Sequence, residues 1–115
     1  MNKGARQAEL ILEIIELIKA QIAPLSLEQF LTDMIMQEVF AFRFLRIGEA
    51  AKDMPEPDKD AHPEIPWPAI VGLRNLIAHD YEGVELNRIF AYANNSLAAL
   101  ASACHPIMAA HGETF

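Results

Sequence analysis

The stretch Arg74-Asn75-Leu76-Ile77-Ala78-His79-Asp80-Tyr81 decides how this chain reads. The run from Trp67 leading into it has helical character, and a proline at Pro68 is tolerated in a first turn. With Arg74 as zero and about 100° per residue, Ile70, Leu73, Leu76 and Ile77 fall between about 200° and 320°, one apolar stripe. Asn75 then falls near about 100° and His79 near about 140°, with only Val71 and Ala78 between Arg74 and His79. Arg74, Asn75 and His79 are therefore expected to share the face turned away from the core stripe, with Tyr81 just past the last turn. A guanidinium, a titratable ring and a phenol around small side chains suit a shallow anion-binding site. The plainer reading is a solvated helix face whose C-terminal histidine is favoured by the helix dipole.

Working outward, the totals set bounds. A chain of 115 residues fits one domain spanning residues 1–115. Its hydrophobic content of 52% supports a packed core and excludes disorder. A formal net charge of −7 argues against coating nucleic acid by bulk charge, so any such contact needs a local cluster of basic residues. Arg43, Arg46, Lys52 and Arg88 are the candidates, against the alternative that they are scattered surface charges. The single cysteine, Cys104, allows no internal disulfide and sits on an apolar helix face, where an inert buried thiol is expected. Glu9, Glu13 and Glu16 interrupt the first apolar run, so neither a signal peptide nor a membrane span is expected, and the cytoplasm is the expected location.

The remaining elements follow in order. A helix is expected from about Ala5 to Ala23, with Leu10, Ile11, Ile14, Leu17 and Ile18 inward and Pro24 stopping it. Its glutamates read as a solvated acidic face rather than as metal ligands, because no histidine is nearby in sequence. Ser26 and Gln29 form a capping-box pattern. The next helix runs toward Asp53, with room for a short turn near Thr32 and Asp33. Its middle, Val39-Phe40-Ala41-Phe42-Arg43-Phe44-Leu45-Arg46-Ile47, is apolar around most of its circumference. Cover comes either from a second subunit or from burial within one chain. Gly48-Glu49-Ala50-Ala51 allows close helix approach. Glu49 is expected to pair with Arg46, three residues away, with a place beside the arginine–histidine pair as the alternative. Four prolines make Asp53 to Pro66 a stiff surface crossover in which His62 is exposed. A third helix ends near Asp80, and Gly83 supplies the turn after it. A last helix starts near Leu86, is kinked or ended by Pro106, and frays from His111. The expected fold is all-α: an up-down bundle of four main helices, with room for one short extra turn or helix.

At this point a resemblance enters. His62-Pro63-Glu64-Ile65-Pro66-Trp67, Gly72-Leu73-Arg74-Asn75 and His79-Asp80-Tyr81-Glu82-Gly83-Val84 resemble the HepT-like (DUF86) branch of the HEPN superfamily. Ile47-Gly48-Glu49-Ala50-Ala51 resembles that branch's earlier marker, and Leu27-Glu28-Gln29-Phe30-Leu31 its second-helix entry. The resemblance implies the toxin half of a type VII-like toxin–antitoxin pair, a metal-independent endoribonuclease with tRNA among the family's substrates and no cofactor. The family motif of arginine, four residues, histidine, any residue and tyrosine lands on Arg74, His79 and Tyr81. Family members form homodimers in which two motifs face one cleft. Their partner is a minimal nucleotidyltransferase antitoxin that transfers AMP onto the motif tyrosine, here Tyr81. The chain departs from its relatives in Phe40, Phe42 and Phe44, which stand where more polar residues are usual, and in its acidity.

The residue types suit that chemistry. A histidine takes or gives a proton near neutral pH, as attack of a ribose 2′-OH on the adjacent phosphate requires. Arg74 is the expected phosphate holder, His79 the expected acid–base group, and Asn75 a support that orients a ring or a phosphate oxygen. The competing reading is a non-catalytic helical subunit that docks on a nucleotidyltransferase.

Overall fold

The structure, a computed structural model, describes residues 2–111, and no strand occurs among them. The tail is expected to fray from His111, which is the last residue of a helix here; residues 112–115 lie outside the described residues. The helices are α1 (Lys3–Ile22), α2 (Leu27–Leu31), α3 (Met34–Asp53), α4 (Glu56–Asp60), α5 (Trp67–His79), α6 (Leu86–Asn95) and α7 (Leu97–His111), with a 3₁₀ turn at Tyr81–Gly83. The chain is an all-α bundle. α1 lies between α7 and α3, and α3 lies in turn between α1 and α5.

Local chemistry explains the boundaries. Asn2 caps α1 through a hydrogen bond from the Ala5 amide, 2.9 Å long. Ser26 and Gln29 make the reciprocal capping box at 3.1 and 2.8 Å. α2 lasts only five residues, because Asp33 starts α3 afresh by accepting from the Met36 amide at 3.0 Å. Phe30 anchors this short helix. It is fully buried, stacks on Phe40 and packs at a tilt on Phe90, each with ring centroids 5.4 Å apart.

The crossover after Asp53 is less bare than its prolines suggest. Pro57 is accepted in the first turn of α4. Ile65 is buried, and the Trp67 indole donates to the His62 carbonyl at 3.1 Å. His62 is half-buried rather than exposed, with Nδ1 3.5 Å from Glu64.

The expected final helix is two helices. The Asn94 side chain donates to the Phe90 carbonyl at 3.0 Å, a local bond of the kind that competes with helical pairing, and α6 ends at the next residue. Pro106, by contrast, does not end α7. Both it and Ser102, four residues earlier, are exposed, so the carbonyl that loses its partner lies on the solvent side.

The core runs through Ile11, Ile14, Ile15 and Ile18 of α1, Phe40, Phe44 and Ile47 of α3, and Leu100, Cys104 and Ile107 of α7. Burial pushes the Cys104 thiol up to about 12. A native sample at pH 8 is therefore expected to resist a thiol reagent, since only about 10⁻⁴ of the thiol is ionised even before access is considered. Denaturant should release one full equivalent of label, and rapid native labelling would contradict the burial.

Candidate active site

α3 and α5 build the site by crossing at Gly48. An ideal Cβ on Gly48 would lie 2.2 Å from the Arg74 Cβ and 3.1 Å from the Ile70 carbonyl oxygen, so only glycine permits this approach. The two helices run antiparallel: Gly48 near the end of α3 meets Arg74, while Tyr81 beyond α5 feels Glu38 near the start of α3.

This crossing corrects the expected placement of Arg74. The arginine does not face away from the core; its stem seats on α3 and its side chain is 20% exposed. Trp67 and Ile77, the buried residues of α5, lie on either side of Arg74 around the helix, at about 20° and about 300°. The apolar stripe is turned to one side of that contact. Ile70 and Leu73 are half-buried, and Leu76 remains 37% exposed. Small residues on α3 draw α5 in at its arginine, and helical periodicity alone does not reveal that choice.

Glu49 pairs across helices with Arg74 rather than along its own helix with Arg46. The Arg74 Nε donates to Glu49 Oε1, and Nη2 pairs with the same oxygen. Nη1 donates to the Asn75 Oδ1 at 2.9 Å. A guanidinium has five N–H donors. These contacts engage at most three of them, leaving one N–H on each terminal nitrogen. Asn75 thus holds the guanidinium through its side-chain oxygen. It also stands at the edge of an open groove lined by Lys52, Lys59, Trp67 and Gly72.

His79 ends α5, is exposed, and its side chain has no hydrogen-bond partner among the described residues. It lies about 7.5 Å beyond Arg74 along the helix axis, at 1.5 Å per residue. Tyr81 is half-buried in the 3₁₀ turn. Burial first, and then the carboxylates of Glu38 and Glu82, raise its phenol above the ordinary tyrosine value. It is a neutral hydrogen-bond donor at pH 7. Gly83 closes the turn, with its Cα side against the Asp80 carboxylate.

Comparison with known proteins places the chain in a family. The ribonuclease HepT-like family matches residues 11–107. The chain belongs to that family. The HepT-like chain is 34% identical over 90 residues to "Probable ribonuclease HepT" of Thermococcus cleftensis, covering 78% of this chain and 82% of that protein. It is 32% identical over 82 residues to "Putative RNase TTE0752" of Caldanaerobacter subterraneus subsp. tengcongensis, covering 71% of this chain and 73% of that protein. No solved structure matches it.

Three of the candidate basic residues of this HepT-like chain have different neighbours. Lys52 borders the groove beside Asn75. Arg43 donates to Gln21 of α1 at 2.7 Å. Arg88 pairs with Glu85 and lines a separate cleft with Leu73, Leu76 and Tyr92. Among the described residues no helix is long and apolar enough to cross a membrane.

Proposed function

We propose that this HepT-like chain is a metal-independent endoribonuclease and the toxin of a toxin–antitoxin pair. The observation that carries the reading is the Arg74 guanidinium, fixed by Glu49 and Asn75 with two N–H groups to spare, about 1.4 turns before a histidine whose exposed side chain has no partner among the described residues. The spare donors suit two oxygens of one phosphate. In the cut, the ribose 2′-OH attacks the adjacent phosphorus and the bond to the 5′ oxygen breaks. A base removes the 2′ proton and an acid supplies one to the leaving 5′ oxygen, giving a 2′,3′-cyclic phosphate and a 5′-OH.

One imidazole does not serve both faces of the phosphate at once, so the proposal includes a homodimer with two motifs in one cleft. An apolar cleft of about 210 Å³ supports it, lined by the core residues Phe44, Ile47 and Leu100 and by the more exposed Ala69, Leu73, Tyr92 and Ala99. Leu76 continues that surface toward Val84. Tyr81 is proposed as the residue that a nucleotidyltransferase antitoxin modifies with AMP. A neutral phenol there needs a base to become a nucleophile, and a bulky anion attached two residues after His79 would exclude RNA by volume and charge. The substrates proposed are RNA, tRNA among them, in the cytoplasm.

The unmodified protein is expected to cut single-stranded RNA in the presence of EDTA, to leave cyclic phosphate ends, and to spare the same sequence carrying 2′-O-methyl groups. Cleavage of the methylated strand, or a requirement for added metal, would contradict the mechanism. The net charge of −7 favours a second reading, a non-catalytic subunit that docks on a nucleotidyltransferase. Tight partner binding with neither cleavage nor growth arrest would select it.

A further inference from the structure

We propose that Glu49 is a positioning residue that sets the Arg74 guanidinium in the orientation that receives the scissile phosphate. The inference rests on the reading of Arg74 as the phosphate holder. A lone arginine on a helix surface samples many rotamers, and its fork meets a phosphate in few of them. Here three features remove that freedom. Gly48 lets the arginine stem lie flat on α3. Glu49, the next residue of α3, takes the Nε side of the guanidinium. Asn75, the next residue of α5, takes one N–H of Nη1. Each terminal nitrogen keeps one N–H directed away from Glu49.

The pair is poorly suited to a merely structural task. The Arg74 and Glu49 side chains are 20% and 39% exposed, and a pair so open to water adds little to stability. It also has an electrostatic consequence. The carboxylate partly neutralises the guanidinium, which weakens attraction for every passing phosphate while fixing the angle for one. That exchange lowers ground-state affinity and favours the transition state, in which charge grows on the phosphate oxygens.

The test is steady-state cleavage of a single-stranded RNA oligonucleotide containing all four bases, in EDTA, with thermal unfolding recorded for each variant. Glu49→Ala is expected to lower kcat by about 10- to 100-fold, the scale of a misoriented catalytic group, with KM changed less than about threefold. Glu49→Gln keeps an acceptor oxygen at the same reach and is expected to recover most of that loss. The Arg74→Ala/Glu49→Ala pair should be no slower than Arg74→Ala, because the glutamate acts only through the arginine. Parental kcat in Glu49→Ala, a Gln variant as slow as the Ala variant, additive losses in the double variant, or a collapse of unfolding cooperativity in Glu49→Ala would each overturn the proposal. A parent that leaves RNA intact overturns the ribonuclease reading and this inference with it. A parent that cuts beside an unaffected Glu49→Ala overturns the inference alone.

Discussion

Replacing His79 by alanine is expected to reduce RNA cleavage by about 10²- to 10⁴-fold, the range for removing a general acid or base, without disturbing the fold. The structure makes this a clean experiment. His79 is exposed at the end of α5, and its side chain makes no hydrogen bond with another described residue. Its removal leaves no cavity and no unsatisfied group, so the melting temperature should stay within a degree or two. Arg74→Ala is expected to lose about 10²- to 10³-fold by removing donors to the developing phosphate charge. It frees a Glu49 carboxylate already partly open to water and removes an arginine stem packed on α3, so the stability loss should be about 1–2 kcal/mol. A His79→Ala protein that folds and cuts RNA at the parental rate would remove the imidazole from the mechanism. Growth arrest on expression without an antitoxin should disappear in the same variant. Arrest that persists while cleavage is lost would separate toxicity from nuclease activity.

The sequence yields the site's inventory more readily than its geometry. The boundaries of α1, α3 and α5 follow from Pro24, Asp53 and Trp67-Pro68, because prolines and caps act locally. Asp33 as a cap and the break after Asn95 depend on which side-chain bond outcompetes the helix, and spacing alone favours neither. The largest difference concerns Arg74. Periodicity assigns the core to the apolar stripe of Ile70, Leu73, Leu76 and Ile77, yet α5 meets α3 at Arg74, and of that stripe only Ile77 is buried. The deciding residue is on the other helix. Gly48 offers a flat place, and the arginine stem is apolar enough to lie on it while the charged head reaches Glu49. The small residues at 48, 50 and 51 signal a close approach in the sequence; only the fold says what approaches. The same displacement leaves Leu76 and its neighbours uncovered, and this gives the proposed second protomer a surface to bury.

Two glycine-to-alanine exchanges should have opposite signs, and together they test the crossing on which the site depends. In an open helix, alanine is better than glycine by roughly 0.5–1 kcal/mol, because glycine loses more backbone freedom on folding. Gly72 meets this condition: a Cβ there has nothing within 4 Å, so Gly72→Ala should raise the melting temperature by a few degrees. Gly48 has the same backbone and the opposite surroundings. Its Cβ would stand 2.2 Å from the Arg74 Cβ, which is 1.2 Å inside the 3.4 Å where ordinary contact begins. A Cβ is fixed to the backbone, so no rotamer change relieves that overlap, and α5 must move off α3. Overpacking of this kind costs about 1–3 kcal/mol and outweighs the propensity gain. Gly48→Ala should therefore lower the melting temperature by about 5–15 °C for a domain of this size. Cleavage should fall with it, by about 10²-fold, because an ångström of displacement at Arg74 carries the guanidinium away from Glu49 and from the phosphate. The activity loss must persist well below the new melting temperature, where the variant is folded. If Gly48→Ala instead melts like Gly72→Ala and cuts RNA at the parental rate, α3 and α5 do not cross where Arg74 meets Gly48. The guanidinium would then owe its orientation to something other than the neighbouring helix.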